Sequence, residues 1–142
     1  MAALIREGAF VLTNFPPNRP DVPGPKPYIA YCLGYQNTSR GPVLMLAYTS
    51  SGPWRPPGST LPLGVIQFDR EAARALNQVP FHLDLRVLAR VPESPAWLPR
   101  LNAPDHGIIS WADRVLRDRI TDLATQTARH RSEVIAIRGP TR

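Results

Sequence analysis

Hydrophobic and polar residues are arranged along the first half of the chain as short apolar runs separated by turns. The runs are rich in aromatic and β-branched residues, which is typical of strands, and they occupy residues 8–15, 28–35, 43–50 and 65–68. Two intervening segments, 16–27 and 51–64, contain so many prolines and glycines that we expect loops there. We therefore predict four strands before residue 69.

The second half of the chain mixes helical and strand periodicity. Residues 69–78 have the pattern of a short helix with Asp69 as its N-cap, and residues 81–91 are the longest strand candidate. Ser110 and Asp113 resemble a capping box before a helix at about 111–129. The apolar stripe of that helix would contain Val115, Leu116, Ile120, Leu123 and Thr127.

The order of these elements predicts the fold class. Strands follow one another without the strand–helix–strand alternation of a parallel sheet. We therefore predict a mainly β fold with some α (α+β), built as a largely antiparallel sheet or small barrel with helices at its edge.

Length and composition indicate one folded domain. The chain has 142 residues, of which 43% are hydrophobic, enough for one core but not for two independent ones. We take 1–142 as a single domain, in which 131–142 either adds a short edge strand or stays a flexible tail. Residues 92–110, with Trp97 and several prolines, predict irregular structure.

The basic residues favour a polyanionic partner. The net charge is +6, the isoelectric point is about 10.4, and Lys26 is the only lysine among 17 basic residues. Arginine forms bidentate contacts with phosphate, so nucleic acid is the first partner to consider. A GC-rich genome produces the same bias towards arginine, and composition alone does not separate the two explanations.

Several common kinds of site are absent from the sequence. It contains no Walker loop, no dinucleotide fingerprint, no paired CxxC, no HExxH and no nucleophile elbow, so we expect no cofactor. His82 and Asp84 lack a third ligand, so we expect no metal. Cys32 lies in an apolar run and is expected to pack as a small hydrophobic residue. Without a signal-peptide pattern or an apolar run of about 18 residues, we expect a cytoplasmic protein with no membrane partner.

The stretch FHLDLR (81–86) is the first candidate for chemistry. Alternate residues of a strand point to the same face, so His82, Asp84 and Arg86 form a row. One interpretation is the solvated face of an antiparallel strand. The other is metal-independent RNA cleavage. There a carboxylate takes the proton of a ribose 2′-OH, a histidine protonates the leaving oxygen, and an arginine stabilises the phosphorane.

Two neighbouring groups of residues extend this hypothesis. Thr49 and Ser50 offer hydroxyls where the third strand ends, although strand ends are often polar without a function. Trp54 beside Arg55 combines a stacking surface with a cation, which suits an unstacked base. Alternatively, Trp54 folds back as part of a local core.

Taken in order, these pieces resemble the PemK/Kid/MazF family of toxin endoribonucleases. The Gly-led first strand and its proline loop are REGAFVLTNFPP, and the basic residue and proline before the second strand are in GPKPYIAYCLG. The third strand ends in Thr-Ser in VLMLAYTSS, and FHLDLR matches a strand that carries Arg-x-Asp and a further arginine in Kid-like members. The resemblance covers about residues 6–91, and the terminal helix loosely.

The resemblance implies roles for individual residues. Asp84 corresponds to the family's proposed general base, and His82 stands where Kid-like members carry an arginine proposed as general acid. Lys26 stands where MazF-like members carry an arginine implicated in catalysis. Lysine keeps the positive charge but lacks the bidentate fork of arginine. Thr49 completes the implied catalytic set. The residues expected to contact RNA are Ser50, Arg86, Arg19, Trp54 and Arg55, of which Arg86 falls one residue short of the family's later arginine.

The resemblance also implies a function. It predicts a sequence-specific, metal-independent endoribonuclease that cleaves single-stranded RNA to a 2′,3′-cyclic phosphate and a 5′-hydroxyl. It further implies an SH3-like barrel, a homodimer whose groove holds RNA, and a cognate antitoxin protein that blocks this groove. The alternative is a non-catalytic protein on the same fold, either a gyrase-binding toxin like the related CcdB group or a nucleic-acid-binding module.

Overall fold

Seven strands and two helices make up the protein in a computed structural model, which describes residues 2–18, 21–52, 54, 60–130 and 136–140. The strands are β1 (Ala9–Thr13), β2 (Tyr28–Thr38), β3 (Gly41–Ser51), β4 (Val65–Phe68), β5 (Phe81–Pro92), β6 (Ile108–Trp111) and β7 (Ala136–Arg138). The helices are α1 (Arg70–Arg74) and α2 (Arg114–His130).

All seven strands belong to one sheet. Its order is β4-β5-β3-β2-β1-β6 with antiparallel neighbours, and β7 joins β5 in parallel next to Val87 and Ala89. Within the described residues, β4 and β6 are not paired with each other, so the sheet is not closed into a barrel. The predicted α+β class with a mainly antiparallel sheet is confirmed. Of the two alternatives for the tail, Ala136–Arg138 adopts the edge strand.

Local sequence signals place several boundaries correctly. The strand Val65–Phe68 matches its prediction, and the Asp69 carboxylate caps α1 by accepting a hydrogen bond from the Ala72 amide at 2.9 Å. Helix α1 ends at Arg74, earlier than predicted, because the chain turns there and Asn77 adopts a φ of 56°.

The start of α2 corrects the predicted capping box. Asp113 does cap the helix, since its carboxylate accepts a hydrogen bond from the Leu116 amide at 2.8 Å. Ser110 instead lies in β6, opposite Phe10. Residues 92–110 are therefore not wholly irregular, because the last of them enter β6. The predicted apolar stripe is also wrong at Val115, which is 79% exposed.

Hydrophobic side chains are buried on both faces of the sheet. On one face, Trp97, Leu98 and Leu101 from the segment between β5 and β6 cover the strands, together with Ala3 and Ile5. On the other face, α1 and α2 cover the strands. The two cores leave the start of β2, the end of β3 and the start of β5 as the place where polar side chains gather.

Cys32 lies in the first of these cores. It is buried and its thiol donates to the Gly34 carbonyl oxygen, 3.5 Å away. Burial raises the pKa of the Cys32 thiol from its ordinary value of 9.0 to about 12. The folded protein disfavours the thiolate form of Cys32. The protonated thiol therefore contributes its full stabilisation of the fold below pH 9, and this contribution is lost as pH rises towards 12.

We therefore expect the free energy of unfolding to fall more steeply above pH 9 in the wild-type protein than in Cys32→Ala, by up to about 1.4 kcal/mol per pH unit. Urea denaturation of both proteins between about pH 8 and pH 11 measures this difference in slope. Parallel curves would show that Cys32 ionises as readily in the folded chain as in the unfolded one.

Among the described residues, neither helix is long and apolar enough to cross a membrane.

Candidate functional site

The pairing of three strands brings the polar residues together. Opposite each other in β3, β5 and β4 lie Ser50, His82 and Gln67. Two pairs further along, on the same face, Asp84 lies opposite Tyr48 of β3. Directly opposed residues of an antiparallel pair project their side chains to the same face, with Cβ atoms about 5 Å apart. The row on β5 is therefore continuous with the hydroxyl of Ser50 on β3.

A bulge in β5 shapes the end of this row. Tyr48 lies opposite Asp84, whereas the preceding Ala47 lies opposite Leu88, so three residues of β5 have no counterpart on β3. The Leu85 amide donates to the Gly64 carbonyl at 2.7 Å, and Gly64 has a φ of +99°. A Cβ on Gly64 would lie 3.1 Å from the Cγ of Arg86. Glycine is favoured here because of this positive φ and because a Cβ would also lie 3.0 Å from the Thr127 side chain.

Asp84 and Arg86 form a bidentate ion pair. Arg86 donates from Nε to one carboxylate oxygen at 2.9 Å and from Nη2 to the other at 2.8 Å, and its backbone amide donates to the first at 3.0 Å. The Asp84 side chain is only 8% exposed and that of Arg86 is 27% exposed. The hydrogen bonds from Arg86 to Asp84 raise the pKa of the Arg86 guanidinium. Without a ligand, the Arg86 guanidinium is thus bound to Asp84 and stays protonated.

Trp54 covers His82 and Arg86, the two half-buried members of the row. The Arg86 guanidinium lies 5.2 Å from the centre of the Trp54 ring, and the His82 ring meets Trp54 edge-on at 5.4 Å. The Trp54 amide donates to Oε1 of Gln67 at 2.8 Å, which fixes the indole over β5. Trp54 therefore folds back over β5, but it does not join either of the two hydrophobic cores. Its partners are cationic and polar rather than apolar.

These contacts test one of the two interpretations of FHLDLR, the solvated strand face. A solvated strand face would leave all three polar side chains in water, whereas Asp84 is buried and both His82 and Arg86 are half-buried. The interpretation as a solvated face is wrong. The row is a partly buried polar cluster held by hydrogen bonds.

The Gly52 carbonyl oxygen determines which ring nitrogen of neutral His82 carries the hydrogen. Nδ1 lies 3.3 Å from the Gly52 carbonyl oxygen, which can only accept a hydrogen bond. Nδ1 therefore carries the hydrogen, and neutral His82 has its lone pair on Nε2. In this tautomer Nε2 accepts a proton, and after protonation it donates one, which is the chemistry of a general base or acid.

A cleft of about 700 Å³ opens beside this row, at the start of β2 and the end of β3. It is lined by three predicted site residues, Lys26, Thr49 and Ser50, and by the aromatic rings of Tyr28 and Tyr48. The exposed Lys26 ammonium lies 5.7 Å from the centre of the Tyr28 ring. A cation beside an aromatic face can hold a phosphate and the base next to it.

The predicted site residues thus fall into two adjoining groups, not one. Lys26, Thr49 and Ser50 line the cleft, whereas Asp84, Arg86 and Trp54 do not, and Ser50 connects the groups by lying opposite His82. Thr49 is buried and its hydroxyl donates to the Ile29 carbonyl, so this group holds β2 against β3. Arg19 and Arg55 lie outside the described residues.

Sequence reasoning missed several residues of the site. Gln67, which accepts a hydrogen bond from the Trp54 amide, is an ordinary polar position of a strand in the sequence. Only the register of β4 on β5 places it opposite His82. Asn77 and Gln78 line the cleft from the turn after α1. A polar pair just before a strand is too common to mark a site without the fold.

Metal ligation is not suggested by the side chains in the ranges that the structure describes. No group of three or more His, Cys, Asp or Glu side chains is close enough there to hold an ion. The available chemistry is that of an imidazole, two cations and a carboxylate bound by one of them. Such a set moves protons and stabilises negative charge on a phosphate.

Comparisons of the chain with protein-family models, with curated proteins and with solved structures each found no match.

Proposed function

We propose that this protein is a metal-independent endoribonuclease acting on single-stranded RNA, similar to the PemK/Kid/MazF toxins. The observation that carries the proposal is the β3–β5 register, which sets Ser50 of the cleft opposite His82 of the polar row. One scissile phosphate beside Ser50 would then have Lys26 on one side and His82 on the other. The SH3-like barrel, the homodimer and an antitoxin partner belong to the same proposal.

In the proposed reaction, the ribose 2′-oxygen attacks the adjacent phosphorus as its proton passes to the Asp84 carboxylate. The bond from phosphorus to the 5′-oxygen breaks, and protonated His82 gives a proton to that oxygen through Nε2. Lys26 and Arg86 offset the extra negative charge of the phosphorane. The products are a 2′,3′-cyclic phosphate and a 5′-hydroxyl.

The Asp84–Arg86 pair determines when Asp84 can act. Both carboxylate oxygens accept hydrogen bonds from Arg86, so a 2′-OH can reach them only after the guanidinium moves. Phosphate binds the same bidentate fork as carboxylate does. In this proposal the substrate phosphate draws Arg86 from Asp84, which places a cation on the phosphate and frees the base in one step.

A second candidate is a nucleic-acid-binding module that does not cut. The observation that favours it is the same pair, because a carboxylate that stays bound to Arg86 and shielded by burial cannot serve as a base. In that case Asp84 has a positioning role, and Arg86 and Lys26 bind phosphates. The two candidates differ in whether RNA is broken.

Incubation of the purified protein with a mixed-sequence single-stranded RNA in EDTA tests the proposal. We expect fragments that end in 2′,3′-cyclic phosphate, and a loss of roughly 100-fold or more in rate for His82→Ala, because an acid–base group typically contributes that much. His130→Ala is the matched control, since His130 is exposed at the end of α2. An absolute need for a divalent metal, or full activity in His82→Ala, contradicts the mechanism. Retarded but intact RNA supports the second candidate.

A further inference from the structure

Gln78 is a polar residue of the cleft for which the proposed reaction has no use. It lies between α1 and β5, half-buried, and lines the same cleft as Lys26, Tyr28 and Ser50. Its side-chain Nε2 is buried and has no hydrogen-bond partner among the residues that the structure describes. Buried polar groups are nearly always paired, so an unpaired donor in the wall of a cleft requires an explanation.

The backbone around Gln78 is held from three sides. The Gln78 amide donates to the Ala73 carbonyl of α1 at 3.0 Å, and Gly52 donates to the Pro80 carbonyl at 2.8 Å. The side chain of Asn77 donates to the Ile109 carbonyl of β6 at 3.4 Å. A turn fixed in this way holds the Gln78 backbone in a constant position at the cleft. Because Nε2 has no hydrogen bond to the described residues to lose, rotation of the side chain can bring the amide to a ligand there.

The neighbours of Gln78 indicate what the amide would bind. Lys26 supplies a cation for phosphate, and Tyr28 supplies an aromatic face on which an unstacked base can lie. A carboxamide offers a donor and an acceptor side by side, which matches the hydrogen-bonding edge of a nucleobase. A cleft of about 700 Å³ is large enough for a nucleotide.

We propose that Gln78 determines base specificity, by pairing with the edge of one unstacked nucleobase next to the phosphate held by Lys26. This inference rests on the proposed function, because it names a contact to the same RNA. Gln78 does not touch the reacting atoms. Its loss should change which sequences are cut more than how fast the best sequence is cut.

Gln78→Glu provides the sharpest test. A carboxylate accepts two hydrogen bonds and donates none, so it matches the two adjacent donors of guanine. We expect the variant to shift its preference towards guanine at one position of the cut site, by roughly tenfold relative to wild type. Mapping the ends of fragments from a randomised RNA measures the preference at every position. Gln126→Glu is the matched control, because Gln126 is exposed on α2 beside a different groove and receives the same charge.

Gln78→Met keeps the approximate shape without the amide and covers the case in which the charged variant does not fold. It should weaken the preference at that same position without producing a new one. A uniform loss of cleavage with unchanged preferences in both variants would overturn the assignment of Gln78 and leave the nuclease proposal standing. Wild-type protein that leaves all RNA intact would overturn both.

Discussion

Replacement of Arg86 with methionine should lower the free energy of unfolding by about 2–3 kcal/mol. It should also reduce the proposed RNA cleavage. The physical reason is the carboxylate that remains. Asp84 is 8% exposed and would lose the two side-chain hydrogen bonds that now satisfy its oxygens. Removing one member of a buried ion pair costs about 3–5 kcal/mol, and the partial exposure of Arg86 places this pair below that range. Urea denaturation followed by circular dichroism measures the change.

A double-mutant cycle separates the ion pair from the packing of the two side chains. Asp84→Asn with Arg86→Met leaves no buried charge, so the double variant should be more stable than the sum of the single effects predicts. Arg90→Met is the control for loss of an arginine from the same strand, since Arg90 forms no ion pair with the described residues. Additive effects, or an equal loss in Arg90→Met, would mean that the pair contributes little to stability.

The same variants distinguish the two roles of Asp84. If Asp84 is the base, Asp84→Asn abolishes cleavage even at temperatures where it is fully folded. If Asp84 only positions Arg86, the variant keeps RNA binding and part of any cleavage, because an asparagine oxygen still accepts a hydrogen bond from the guanidinium. RNA binding by Asp84→Asn is the readout that cleavage alone does not give.

The parts of the fold that the sequence predicts are those set by neighbouring residues. The caps by Asp69 and Asp113 and the strand at 65–68 depend on a few adjacent positions. Strand β6 has four residues, as β4 does, but it escaped prediction because its partner β1 lies about a hundred residues earlier in the chain. Short strands of this kind are defined by their pairing and not by their own pattern.

The candidate site shows the same division. Period-two alternation predicts the row of His82, Asp84 and Arg86. The hydrogen bond between Asp84 and Arg86 is local, because these residues are close in the chain. The cover by Trp54 requires a loop to return over β5, and no pattern in the sequence specifies where that loop closes. For this reason the sequence predicted the row itself but joined two neighbouring groups of residues into one.

Trp97→Ala should destabilise the protein by about 3–5 kcal/mol, the cost of removing a large aromatic side chain from a core. Trp97 belongs to the segment between β5 and β6, for which the sequence predicted irregular structure, and it is 7% exposed. Its carbonyl oxygen accepts hydrogen bonds from the Thr13 hydroxyl at 2.9 Å and from the Asn14 amide at 2.8 Å. This segment is therefore attached to β1 by its backbone and to the core by its side chains.

Trp111 offers a matched comparison, because it is the same residue type in the neighbouring β6 and is 51% exposed. Trp111→Ala should cost less than about 1 kcal/mol, as exposed positions usually do. If Trp97→Ala lowers the free energy of unfolding no more than Trp111→Ala does, the segment between β5 and β6 contributes little to stability, and the strands it covers are stable without it. If the expected difference is found, residues between β5 and β6 complete one of the two cores. Their removal would then also loosen β1 and β2, and with them the end of β2 that carries Tyr28 into the cleft.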